Sequence, residues 1–492
     1  MVWKAFQRRR KILIRTRMRK LNRFLSNFSS CSVNFLWKAI SVVYSERAKK
    51  VMRKRIALAY IIFLQLNVPA LAGPKTHSPN LILIMADDLG YHDVSSYGHP
   101  KIKTPVLDRL AQEGVKLTSF YAGATVCTPS RMALLTGAYP TRLGWSRGVV
   151  GHIMKKGQGL SPDALTMPEI FRDSGYRTAM FGKWHLGDDP SLRPHRQGFD
   201  TAFYLNKSNN QTKKLWRADE VIENPFTNRL LSERFTTEAI KFIESNQDHP
   251  FFLYLPHTAP HFPLEAHPDW KGKSQFGVFG DVVEELDHRI GQILESLKST
   301  NLEKNTIVVF LSDNGPEPLT KASRADPFRG KKWSALEGGT RVPCIIRYPG
   351  HIPPGRESAD LISAIDLLPS LAHACGIDLR QHSRDKPVID GLNVWPTLQG
   401  SKGVPHARQD LLYWHGADGF QAIRKGPWKL FPDRRHAGLK GLGPALFNLE
   451  SDLKEEIDVS MEHPVTVAKL KKLAELRLSD IEKNKVALGG TR

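Results

Sequence analysis

Six short segments of this 492-residue chain carry side chains able to do chemistry together. Asp87-Asp88 and Asp313-Asn314 offer hard oxygen ligands in adjacent pairs. Adjacent aspartates repel each other unless a cation or buried donors compensate, so the first pair favours a metal over the plainer reading of a solvated turn. Cys127-Thr128-Pro129-Ser130-Arg131 sets a thiol and a guanidinium about one helical turn apart. Pro129 suits a first helical turn and Ser130 can satisfy free backbone donors there, which puts Cys127 at or just before a helix N-terminus, where anionic groups are favoured. Taken alone, such a cysteine reads first as a buried structural residue ahead of a helix. Lys183 and His185 stand two apart and point the same way if their segment is extended. His257 and His261 lie beside prolines, in loop rather than core, and the pair Lys331-Lys332 adds cations.

The elements that must position these groups are legible as apolar runs. Residues 80–86, 250–255 and 305–311 are continuous apolar stretches bounded by turn residues, the pattern of buried parallel strands. Asp87-Asp88, the two histidines and Asp313-Asn314 follow their C-terminal ends, which meet on one side of a parallel sheet. Residues 175–181 read as a further strand delivering Lys183 and His185. Helices are expected over 105–113, 165–174, 231–246, 279–300, 360–374 and 465–484, and residues 341–349 form a strand that makes Cys344 structural. Residues 188–225 read as a long irregular loop shaping a pocket rim. From about Gly391 short strand-like pieces, 411–414, 421–424 and 428–430, predict a small antiparallel sheet closed by the last helix. The fold class is therefore α/β: a large mixed, mostly parallel central sheet flanked by helices, with a small C-terminal antiparallel sheet and helix.

Charge narrows the partners. Of the net +22, residues 1–55 hold 17 lysines and arginines against Glu46 alone, or +16, which leaves +6 for the rest. The body is only mildly basic, and no nucleic-acid partner is expected. The four cysteines are too scattered for a disulfide scaffold or a zinc cluster. Met52-Arg53-Lys54-Arg55, the apolar run 56–66 and Ala70-Leu71-Ala72 read as a signal peptide cleaved after Ala72, too short in its apolar part to span a membrane comfortably. The expected organisation is a basic extension over 1–51, with Met52 as an alternative start, a signal peptide over 52–72, a catalytic domain over 73–390 and a smaller subdomain over 391–492. The protein is then exported, periplasmic or secreted from a bacterium, without a stable membrane anchor.

In their order along the chain these segments resemble the type I, formylglycine-dependent sulfatases of the alkaline-phosphatase superfamily. The similarity rests on Cys127-Thr128-Pro129-Ser130-Arg131 with Thr136-Gly137, Gly175-Tyr176 with Gly182-Lys183-Trp184-His185, residues 80–88, Pro260-His261, Ser312 to Gly315, and Glu337-Gly338-Gly339 with Arg341-Val342-Pro343. Leu453-Lys454 departs from the family's usual Asp-Pro in its closing motif. The resemblance implies that a maturation enzyme oxidises Cys127 to formylglycine (3-oxoalanine), and that Asp87, Asp88, Asp313, Asn314 and the modified Cys127 hold one metal ion, Ca2+ ahead of Mg2+. It assigns Arg131, Lys183, His185, His261 and Lys332 to the pocket, choosing His261 over His257 and Lys332 over Lys331, and leaves His257 as a substrate contact. The implied activity is hydrolysis of aryl sulfates or sulfated carbohydrates, with Arg131 orienting the nucleophile, Lys183 and Lys332 neutralising sulfate, His261 or Lys332 protonating the leaving alcohol, and His185 as base. The rivals are a phosphate or phosphonate monoester hydrolase of the same superfamily and a non-catalytic polyanion-binding exported protein.

Overall fold

Strand β1 (Asn80–Ala86) is buried along its whole length and lies at the centre of the protein. Its side chains alternate between two cores, as a strand covered on both faces must: Leu81, Leu83 and Met85 enter one, Ile82, Ile84 and Ala86 the other. β8 (Phe251–Pro256) and β9 (Thr306–Ser312) flank it in parallel, with Leu83 opposite both Tyr254 and Val309. The computed structural model describes residues 78–382, 388–401 and 408–490. The basic extension and the signal peptide lie outside the described residues.

Among the described residues the main sheet has ten strands, and its parallel centre is β9-β1-β8-β4-β5, with β4 (Arg177–Lys183) and β5 (Thr201–Leu205) beyond β8. β10 (Cys344–Arg347) runs antiparallel to β9 and to β2 (Val115–Leu117), which pairs in parallel with β11 (Arg356–Ser358). One face is covered by α1 (Pro105–Gln112), α4 (Leu231–Ser245) and α5 (Gly277–Ser299), whose Leu110, Phe235, Ile290 and Ile293 enter the second core. The other is covered by α2 (Cys127–Thr136), α3 (Met167–Asp173), α6 (Leu367–Ala374) and the C-terminal sheet. That sheet has four antiparallel strands, β13 (Asp410–His415), β14 (Gly419–Lys425), β15 (Trp428–Phe431) and β16 (Ala445–Asn448), with α7 (Pro464–Lys483) packed on β14 and β15.

Two expectations need correction. Residues 188–225 are not all loop: β5 continues the sheet, and β6 (Leu215–Arg217) and β7 (Glu220–Glu223) add an antiparallel edge. Their short length and polar flanks hid them, although Trp216 stacks on Tyr204 with ring centroids 6.4 Å apart and Arg193 lies over Trp216. The helix expected over 360–374 begins at Leu367, after a short strand at Ile362–Ser363 and a 3-10 turn at Ala364–Asp366. Pro369 is tolerated only in a first helical turn, which fixes that start.

The C-terminal sheet is tied to the rest by buried charge. Lys429 on β15 is completely buried, with its Nζ 2.9 Å from Glu337 Oε1 and 2.9 Å from Glu455 Oε1. Glu455 also accepts the Glu337 backbone N–H at 2.7 Å. Burial and the neighbouring Glu337 push the Glu455 carboxyl up to about 7 against the pull of Lys429. Glu337 is itself buried, yet Lys429, Arg341 and Arg424 hold it down to about 2.

Candidate active site

Four strand ends deliver the site. Asp87 and Asp88 leave β1, Asp88 with a positive φ of 66°. Asp313 and Asn314 leave β9, and the Asp88 N–H donates to Asp313 Oδ1 at 3.1 Å, locking the two turns together. Lys183 is the last residue of β4. A Cβ at Gly182 would fall 1.9 Å from the Pro256 carbonyl oxygen at a φ of 141°, so only glycine lets β4 and β8 close at the point where Lys183 turns inward. β8 leads on to His257 and His261.

Helix α2 presses its first turn into this cluster. Cys127 is its first residue, Val126 gives no side-chain cap, and Ser130 works elsewhere: its hydroxyl accepts from the Gly123 N–H and donates to the Asp313 carbonyl. Cys127 Sγ lies 3.6 Å from Asp87 Oδ1 and 3.9 Å from Asp88 Oδ1. Ligand atoms of Asp87, Asp88, Cys127 and Asp313 all fall within 4.8 Å of one another, and all four residues are buried. Arg131, with no exposed surface, donates from Nε and Nη2 to Asp313 Oδ2 at 3.0 and 2.7 Å and from Nη1 to the Lys183 carbonyl at 2.8 Å. Lys183 Nζ reaches Asp87 Oδ2 at 2.7 Å, and Lys332 Nζ reaches Asp88 Oδ2 at 2.7 Å and Glu317 Oε2 at 3.4 Å.

The electrostatics follow from this packing. Burial works against charge on Asp87 and Asp88, but Lys183 with His261 and Arg131, and Lys332 with His261, hold both carboxyls below their ordinary range. Burial pushes the Cys127 thiol far up, despite Lys183 and Lys332. Burial, with Lys183 and Arg131 close by, keeps His185 well below the usual imidazole range. Its Nε2 lies 2.9 Å from the Val150 carbonyl oxygen and 3.1 Å from Gln211 Oε1, both acceptors, so Nε2 carries the hydrogen. Nδ1 is then a bare acceptor, buried without a hydrogen-bond partner.

A cavity of about 420 Å3 opens above the cluster. Cys127, His185, His261 and Lys332 line it, whereas Asp87, Asp88, Arg131 and Lys183 lie beneath. His261 turns Nδ1 to the Phe262 carbonyl at 2.6 Å and Nε2 toward Asp88 Oδ2 at 3.6 Å. His257 is not brought to the cavity. It is buried against Phe235, its ring nitrogens lack hydrogen-bond partners, and burial pushes it down to about 3. Lys331 points away, donating to the Ser323 carbonyl. Gln211, His152, Glu317 and Trp333 also stand in the wall, alongside Ser208, Asn210 and Phe262, and were not singled out from the sequence as site residues. The signals present were the adjacency of Trp333 to Lys332, the place of Glu317 just after Asn314-Gly315, and the rim expected from residues 188–225.

The donor set fits a hard divalent cation: three clustered carboxylates, and an Asn314 Oδ1 that is buried without a hydrogen-bond partner while its Nδ2 donates to Asp88 at 2.7 Å. The family model described as Sulfatase matches residues 79–377. The chain belongs to the sulfatase family. Human arylsulfatase A is 35% identical to this sulfatase, over 71% of this chain and 74% of its own. The N-acetylgalactosamine-6-O-sulfatase of Bacteroides thetaiotaomicron is 31% identical, over 82% and 94%. A sulfatase structure from Pseudoalteromonas sp. superimposes with a TM-score of 0.76 at 25% identity, over 89% and 96%. The protein is a sulfatase enzyme with an alkaline-phosphatase-like sheet, and no helix among the described residues is long and apolar enough to cross a membrane.

Proposed function

We propose that this sulfatase releases sulfate from monoesters of carbohydrates or aryl alcohols, with Cys127 oxidised to formylglycine and Ca2+ held by Asp87, Asp88, Asp313 and Asn314. The convergence of Cys127, three buried carboxylates and three buried cations within one cluster carries this reading. A nucleic-acid or surface-binding role would need none of it. Asp87, Asp88, Asp313 and Asn314 would hold the cation, which would neutralise sulfate charge, and the oxidised Cys127 side chain would supply the oxygen nucleophile for a monoester.

The chain's own residues do the rest. Arg131, clamped to Asp313 and to the Lys183 carbonyl, fixes the first turn of α2 relative to the β4 and β9 ends. Lys332 on the cavity wall, with Lys183 beneath it, offsets the charge of the bound sulfate. Lys332 and His261 are placed to give the departing alcohol its proton, and His185, through its bare Nδ1, is placed to accept one during sulfate release. Ser208, Asn210, Gln211 and Glu317 offer hydrogen bonds and Trp333 a stacking face to the ring bearing the ester. The relatives named for N-acetylgalactosamine 6-sulfate support a sugar ring there, and arylsulfatase A an aryl one. The signal peptide read over 52–72 supports export.

The test is the mass of the peptide containing Cys127 in active protein, expected about 18 Da below the cysteine form. It is paired with release of sulfate, and not phosphate, from matched esters. Full turnover by wholly unconverted protein, or faster phosphate release, would overturn the proposal.

A further inference from the structure

We propose that an apolar shelf beside the catalytic cavity binds a hydrocarbon extension of the substrate alcohol, so that the preferred ester is amphipathic. This rests on the reading of the Cys127 cavity as catalytic. A hollow of about 550 Å3 has Phe262, Leu264, Phe276, Val278, Phe279 and Leu319 as its apolar wall, with Thr320, Lys321 and Ala322 closing one side. Phe262 also walls the catalytic cavity, so the two spaces meet across one ring. That ring is held by stacking on His261, with centroids 4.6 Å apart.

The shelf differs in chemistry from the cavity it adjoins. Its floor is the outer skin of the second core, where Phe279 is buried and Leu264 and Phe276 pack against the cluster. Its rim leaves Leu319 79% and Val278 50% exposed. Large apolar groups left in water beside a binding cavity mark a surface that gains from being covered. One loop serves both spaces: Glu317 faces the cavity and Leu319, two residues on, faces the shelf. An alcohol extending past Phe262 therefore meets amide, hydroxyl and carboxylate groups first and hydrocarbon next. Continuity through Phe262 favours the substrate's own alcohol over a second copy of the chain as occupant.

The test compares 4-methylphenyl and 4-butylphenyl sulfate, whose leaving groups are matched, below any micelle concentration. Each methylene moved onto an open shelf should tighten binding about twofold, so KM should fall about eightfold across the three added methylenes with kcat little changed. Leu319→Ser with Val278→Ser should abolish this difference while leaving turnover of the methyl ester unaltered. Calorimetric binding of the two esters to Cys127→Ala protein gives the same comparison without turnover, so failure of the catalytic reading would show separately. Equal KM and equal affinity for both esters in the parent protein would overturn the proposal. So would a chain-length effect that survives the double substitution, or a dimer that the substitution dissociates while the effect persists.

Discussion

Glu455→Gln isolates the buried charge under the C-terminal sheet. In the folded protein Glu455 titrates at about 7 rather than near 4.5, because burial and Glu337 resist its ionisation. The folded state therefore binds more protons than the unfolded chain between those values, and stability falls as pH rises. The contribution is fully present below about 4.5 and lost as pH passes through about 7. A displacement of that size corresponds to about 3 kcal/mol. Glutamine has one acceptor oxygen where Glu455 uses two, Oε1 for Lys429 and Oε2 for the Glu337 N–H, so one contact is lost at every pH. It cannot ionise, however, so the stability difference between variant and parent should shift by about 3 kcal/mol in the variant's favour between pH 4.5 and 8. With an unfolding entropy of about 2 cal/mol/K per residue, a unit of this size turns that shift into about 3–4 °C of Tm. Asp93 and Asp287, which burial also pushes up to about 7, act alike in both proteins and drop out of the difference. Thermal unfolding of both at pH 5, 6, 7 and 8 is the assay, and parallel Tm curves across that range would refute the reasoning.

Asp313→Ala should lower bound metal and sulfate release together, and a variant that keeps one ion per chain by elemental analysis would remove Asp313 from the ligand set. Arg131→Lys should reduce kcat at least about a hundredfold, since an ammonium cannot hold Asp313 and the Lys183 carbonyl in the same fork; a loss under about tenfold would show that the clamp is dispensable. Cys127→Ser and Cys127→Ala should both end multiple turnover while keeping the far-ultraviolet circular dichroism of the parent, and steady turnover by either would contradict the proposed nucleophile.

What the sequence disclosed follows from how the site is built. Asp87, Asp88, Asp313 and Asn314 stand where long apolar runs stop, and such runs can hardly be anything but central strands, so both the fold and the convergence of these groups were readable. The histidines show the limit. His257 and His261 share one loop and the same proline-rich context, yet His257 faces the second core and His261 the cavity. The path of the chain after β8 decides between them, and local composition carries no record of that path. Gln211, Glu317 and Trp333 come from irregular segments without periodicity, and the edge strands within 188–225 are too short to register. The Glu337, Lys429 and Glu455 triad joins residues up to 118 positions apart, and each is locally an ordinary charged side chain.

All ten residues of α2 are buried, and Cys127 is 1% exposed at the bottom of its cavity. A small ester can reach that depth, but the active site of another protein cannot wrap the backbone on both sides of the thiol once the sheet and helix have closed. If formylglycine is made by a separate enzyme, the order of events in biosynthesis is then set by geometry: oxidation has to come while this stretch is still an extended chain. Protein that folds first is committed as an inactive precursor. The specific activity of a preparation would thus record a race between folding and modification, independent of how well the finished site works.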